Sequence, residues 1–146
     1  MTVPAKVRRM ARECVAVRVR LLNRLVTGVC DDGLRPFGVR VAQVNVLCAV
    51  ANSGPVTPTD LAAVLVMDKS TLSRDVAKLI ERGWVETTAE GDARSHTLTA
   101  TAAGVAFLEE IHPLWLAAQK QLTERLGPVF LASLTQTVDD IWAELD

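Results

Sequence analysis

The order of elements predicts a mainly α-helical protein with one small β-wing, and three stretches carry that prediction. Thr57-Pro58-Thr59-Asp60 opens a short apolar helix, and Asp68 opens a second that runs to Arg82. Two runs rich in Val, Thr and Leu, at 84–88 and 96–100, then flank the polar segment AEGDARS. Two short helices joined by a tight turn and followed by a projecting ribbon make a winged helix-turn-helix, whose second helix fits the major groove of DNA.

The elements follow in order. Apolar residues at Val7, Met10, Cys14, Val17, Leu21, Leu25 and Val29 recur with helical spacing, which predicts one long first helix over residues 5–30. Gly33, Pro36 and Gly38 are expected to break it. A second helix is predicted over 40–52. Thr57 is the expected cap of the third helix, with Pro58 at the first helical position where its missing N–H costs nothing. Met67-Asp68 turns the chain, and Asp68 caps the fourth helix. At about 100° per residue, Leu72, Val76, Leu79 and Ile80 share its inner face, while Ser70, Thr71, Arg74, Ala77, Lys78 and Glu81 face outward. Gly83 suits the helix stop. After the hairpin, Thr101 is expected to cap a fifth helix reaching about Leu126, kinked near Pro113. Gly127-Pro128 precedes a last helix to Leu145, with Leu131, Leu134, Val138, Ile141, Trp142 and Leu145 on its apolar side.

Composition narrows the function. The chain has 146 residues, enough for one domain plus a dimerisation element, and at 49% hydrophobic it can fill a core. No apolar run approaches the ~20 residues of a membrane span, and no signal peptide is evident, so a cytoplasmic protein with no membrane partner is expected. Residues 1–40 hold nine Lys/Arg against three Asp/Glu, residues 41–100 five against seven, and residues 101–146 two against seven. A basic amino end and an acidic carboxyl end attract each other, within or between subunits. The near-neutral centre means that DNA binding rests on a few placed cations. Cys14, Cys30 and Cys48 form no metal-ligand pattern and are expected to be reduced and mostly buried. His96 and His112 are isolated, and are expected to be structural or solvated; no metal and no cofactor is expected. Paired carboxylates, a nucleophile motif and a phosphate loop are all missing from the sequence, which argues against an enzyme.

The candidate DNA-binding residues are Lys69, Ser70, Thr71, Ser73, Arg74 and Lys78 on the fourth helix, and Asp92 and Arg94 on the wing. Arginine grips guanine O6 and N7 with two hydrogen bonds, and short hydroxyls meet base edges or phosphates. Lys69 and Lys78 supply backbone contacts. Arg94 suits the minor groove, with Asp92 placed to brace it. Trp84, Trp115 and Trp142 read as core and dimer packing, with Trp115 alternatively lining a ligand pocket.

The T-P-x-D-L-A helix, the D-K-S-T-L-S-R helix, the G-W-V-E strand, the G-D-x-R wing and the T-A-A-G helix start together resemble the MarR family of bacterial transcriptional regulators. The resemblance is close over residues 40–104. It implies a homodimer, with a helical dimerisation region formed by N- and C-terminal helices (1–35 and 101–146) around a winged helix-turn-helix domain at 36–100. It also implies a pseudo-palindromic double-stranded DNA operator and a possible small-molecule effector, and thus a ligand-responsive repressor. Two alternatives stay open: a winged module for protein–protein contact, and a thiol-based redox sensor using Cys14. Against the second, relatives that sense peroxides hold the reactive thiolate with tyrosines, and this chain has none.

Overall fold

A computed structural model describes residues 2–89 and 96–145. The chain runs α1 (Ala5–Glu13), α2 (Val15–Leu34), a 3-10 turn (Arg35–Phe37), α3 (Val41–Ser53), α4 (Pro58–Leu65), α5 (Lys69–Glu81), β1 (Val85–Ala89), β2 (His96–Ala100), α6 (Ala102–Leu126) and α7 (Pro128–Leu145). The fold is therefore mainly helical with a small antiparallel wing, as the sequence predicts.

Several boundaries have plain causes. Thr57 accepts the Asp60 N–H, Asp68 accepts the Thr71 N–H, and Thr101 accepts the Gly104 N–H, so three helices begin on the side chains expected of them. Gly83, at φ +71, follows α5 and turns the chain into the ribbon. β1 and β2 pair in the register Val85↔Ala100 to Ala89↔His96. Val56 adds a one-residue bridge through reciprocal hydrogen bonds with Leu98 (3.1 and 2.8 Å), fastening the loop before α4 to the wing.

The T-A-A-G motif has a steric basis. Thr101 Oγ1 donates to the Gly83 carbonyl at 2.6 Å, and the Thr101 N–H donates to the Trp84 carbonyl at 3.0 Å. A Cβ on Gly104 would lie 2.3 Å from that same Trp84 oxygen, so only glycine lets α6 start this close to the strand. Trp84 then stacks on Phe107 at 3.8 Å between ring centroids, while the Arg82 guanidinium lies 5.1 Å from the Trp84 ring centre.

The core gathers Leu47 and Val50 of α3, Leu61 of α4, Leu72 and Leu79 of α5, and Val85 and Leu98 of the ribbon. Leu34 of α2 and Phe107 and Ile111 of α6 close it on the far side, so the winged part rests on the long helices.

Four expectations are corrected. The first helix is two helices: Cys14 takes an extended conformation (ψ 114) between α1 and α2, although no Gly or Pro stands there. Gly33 breaks nothing, since α2 continues to Leu34, and the stop comes from the 3-10 turn and left-handed Gly38 (φ +66). Ile80 is 40% exposed rather than inward, because it falls at the edge of the apolar arc where α5 ends. Cys14 and Cys48 are exposed in the single chain and Cys30 is half-buried, so the thiols are not a core feature. Trp84 is half-buried, whereas Trp115 and Trp142 are exposed. α6 runs through Pro113 to Leu126, the extent expected of it.

Candidate nucleic-acid interface

α5 presents the predicted reading face. Lys69, Ser70, Ser73, Arg74 and Lys78 are exposed and Thr71 is half-buried, while Leu72, Val76 and Leu79 anchor the opposite face in the core. Asp75, between the two faces, accepts from Gln43 Nε2 of α3 at 3.4 Å and fixes how α5 is rolled on its support. At the far end, Arg82 donates to the carbonyls of Phe37 (2.9 Å) and Gly38 (3.2 Å), tying α5 to the turn before α3. Asp92 and Arg94 of the wing lie outside the described residues.

At its N-terminus α5 carries a compact hydrogen-bonded cluster. Asp68 Oδ1 accepts from Ser70 Oγ at 2.6 Å and from the Thr71 N–H at 2.8 Å, while Oδ2 accepts from Thr71 Oγ1 at 2.6 Å. Arg74 Nη2 approaches Thr71 Oγ1 at 3.4 Å. The Ser70 and Thr71 side chains, followed by the backbone bond, hold the Asp68 carboxyl far below the usual carboxylate range. Its exposure to solvent keeps that electrostatic effect screened.

A second feature escaped sequence reasoning. Between α4, α5 and the base of the wing lies a cleft of about 180 Å³, floored by Leu72 and Val76 and bordered by Thr59, Lys69, Ser73 and His96. Thr59 and His96 belong to segments separated by more than thirty residues, so only the folded ribbon unites them. The available signal was the position of His96 at the start of a strand leaving the wing.

α3 begins on Arg40, which carries no capping hydroxyl. The work passes to two other residues: Gln43 Oε1 accepts the Arg40 N–H at 3.1 Å, and Asp31 Oδ1, from the last turn of α2, accepts the Val41 N–H at 2.7 Å. This support for α3 is not encoded in its own N-cap.

The remaining candidates lie elsewhere. Cys14 sits exposed at the junction of α1 and α2. Cys30 and Cys48 border a cavity of about 260 Å³ among α2, α3 and α6, with Val44, Ile111, Trp115 and Gln119. Though Cys48 is exposed as a residue, partial desolvation against the cavity wall pushes both thiols up, reinforced at Cys30 by the neighbouring Asp31 carboxylate, so both stay protonated at neutral pH. His112 stacks beside Trp115 at 5.8 Å. Among the described residues no cluster of His, Cys, Asp or Glu could hold a metal ion, and no helix is long and apolar enough to cross a membrane.

An exposed polar helix set on a buried support, beside a β-ribbon, defines a winged helix-turn-helix of the DNA-binding class. The MarR family model matches residues 37–95. The multiple antibiotic resistance protein MarR of Escherichia coli (strain K12) is 30% identical over 97 residues, which cover 66% of this chain and 67% of that protein. A cysteine-to-serine mutant of E. coli MarR, complexed with operator DNA, superposes with a TM-score of 0.80 at 25% identity, over 91% of this chain and 96% of that one. Bordetella bronchiseptica BpsR, a structure describing regulation of its DNA binding by 6-hydroxynicotinic acid, gives 0.77 at 20% identity over 89% and 95%. The chain belongs to the MarR family of transcriptional regulators.

Proposed function

We propose that the protein is a ligand-responsive repressor that binds a pseudo-palindromic operator as a homodimer, reading bases with α5 and straddling the adjacent backbone with its wing. The outward face of α5 carries this reading: its donors and hydroxyls are free of the core, and its roll is fixed by Asp75 and Arg82. Arg74 reads a base, while Lys69 and Lys78 contact phosphates. A helix in the major groove and a ribbon in the neighbouring minor groove leave one sugar–phosphate strand between them. The cleft edged by Thr59, Lys69, Ser73 and His96 lies in that interval, and among the described residues no carboxylate lines it.

Dimerisation is supported by what one chain leaves uncovered. Met10 is 72% exposed, Val129 79% and Ile141 51%, on helices whose apolar residues have no cover of their own. Ion pairs among the described residues join only neighbours on one helix or turn, as in Arg9–Glu13 and Lys120–Glu124. The basic amino end and acidic carboxyl end thus remain available to a second copy. Small-molecule control is supported by the cavity among α2, α3 and α6, which joins the terminal helices to the winged core as a place for an apolar effector. BpsR offers a parallel, since its DNA binding is regulated by 6-hydroxynicotinic acid. An effector favouring a spacing of the two α5 helices other than one duplex turn lowers DNA affinity by linkage.

The test is binding to DNA selected from a random pool, measured over a range of salt. Arg74→Ala costs about 1–3 kcal/mol and relaxes selection at one base, whereas Lys78→Ala weakens all sequences alike and lowers the salt slope by about 1. Equal losses on selected and random DNA from Arg74→Ala would remove that residue from base readout.

A further inference from the structure

We infer that Asp68 sets the base preference of α5 by committing the hydroxyl protons of Ser70 and Thr71, so that these side chains meet the major groove as hydrogen-bond acceptors. This rests on the reading of α5 as the groove-entering helix. A hydroxyl has one proton and two lone pairs, whereas an ionised carboxylate only accepts. At 2.6 Å each, the Ser70 and Thr71 contacts to Asp68 must therefore be donated by the hydroxyls. What Ser70 Oγ keeps for a base is its lone pairs. Thr71 Oγ1 keeps one, because Arg74 Nη2 stands 3.4 Å away on the other.

Donors and acceptors are thereby divided along the helix. Arg74 offers only N–H groups, which suit the N7 and O6 acceptors of guanine. Ser70 and Thr71 offer only acceptors, which suit the exocyclic amino groups, N6 of adenine and N4 of cytosine. Guanine and thymine, which show O6, N7 and O4 acceptors at the same depth, would meet lone pair against lone pair. Without Asp68 each hydroxyl would rotate to donate or accept and would tolerate any base. The aspartate thus acts at a distance from DNA: it touches no base itself, and it positions the groups that do. Ser70 is exposed and Thr71 half-buried, so the stronger discrimination falls to Ser70.

The experiment compares base selection by the wild-type dimer with Ser70→Ala, Thr71→Val and Asp68→Asn, each checked for an intact fold by circular dichroism. Wild type selects adenine or cytosine at the positions next to the Arg74 guanine. Replacing the adenine by 2′-deoxynebularine, which lacks the N6 amino group, weakens wild type about fivefold, the worth of one hydrogen bond. The same replacement leaves Ser70→Ala unaffected. Asp68→Asn narrows the preference for amino-bearing bases about fivefold, because one hydroxyl proton is released. Ser70→Ala and Thr71→Val keep the Asp68 cap on the Thr71 N–H, so they report on readout even if Asp68→Asn loosens the helix. The inference is overturned if nebularine leaves wild-type affinity unchanged, if guanine or thymine is selected at those positions, or if folded Asp68→Asn keeps full discrimination. In those cases relaxed selection by Arg74→Ala would still sustain base reading by α5. A wild-type protein with no site preference overturns both.

Discussion

Val46, Leu47, Val50 and Leu98 are fully enclosed by their own chain, whereas α1 buries nothing and α7 leaves Val129, Phe130, Val138, Ile141 and Trp142 exposed. Both regions hold similar apolar residues at similar spacing. The difference lies in neighbours: the winged core packs three helices against a ribbon, while α7 packs chiefly on α6 and α1 buries no residue. The core is covered by its own contacts, whereas the terminal helices keep apolar faces that their own chain does not cover.

Substitutions on the two sides should therefore fail differently. Leu47→Ala opens a void in the enclosed part and should lower unfolding free energy by about 2–5 kcal/mol, read from urea denaturation. An effect below about 1 kcal/mol would mean that this part is looser than its burial implies. Gly104→Ala should cost about 1–3 kcal/mol by forcing α6 away from the Trp84 carbonyl, with loss of the Trp84–Phe107 stack visible in near-ultraviolet circular dichroism. Ile141→Asp, on the uncovered side, should leave the fold of the winged part intact and halve the mass measured by light scattering. An unchanged mass would show that α7 pairs with nothing. The smallest effect concerns pH. Asp68 has a lowered folded-state pKa, so its contribution is complete above its ordinary value of about 4 and is lost as pH falls toward the lower folded value. The melting-temperature difference between wild type and Asp68→Asn should be flat above pH 5 and shrink as pH falls below about 4. A difference that grew on acidification would reverse the sign of this account.

Sequence and structure agree where the cause is local. Thr57, Asp68 and Thr101 each bind an N–H three residues away, so pattern suffices to place them. They part where the cause is distant. Nothing around Cys14 announces a break, and Arg40 offers α3 no capping hydroxyl, the acceptor for the Val41 N–H coming instead from Asp31, ten residues upstream. Thr59 and His96 became neighbours only through the Val56–Leu98 bridge and the ribbon. The exposed polar face of α5 was legible because it follows from helical period. The internal bonding of Ser70, Thr71 and Asp68, which decides what that face can offer, was not.

The bond from Asp31 to the Val41 N–H has a mechanical consequence. At 2.7 Å it has little slack, since such a bond weakens steeply when lengthened or bent. Two residues further on, Gln43 Nε2 donates to Asp75 of α5 at 3.4 Å, a longer and looser bond. A sideways slip of α2 must either break the first tether or carry the start of α3 along the same path. The segment between Asp31 and Asp75 therefore works as a two-jointed linkage, joining the carboxyl end of α2 through α3 to the middle of α5.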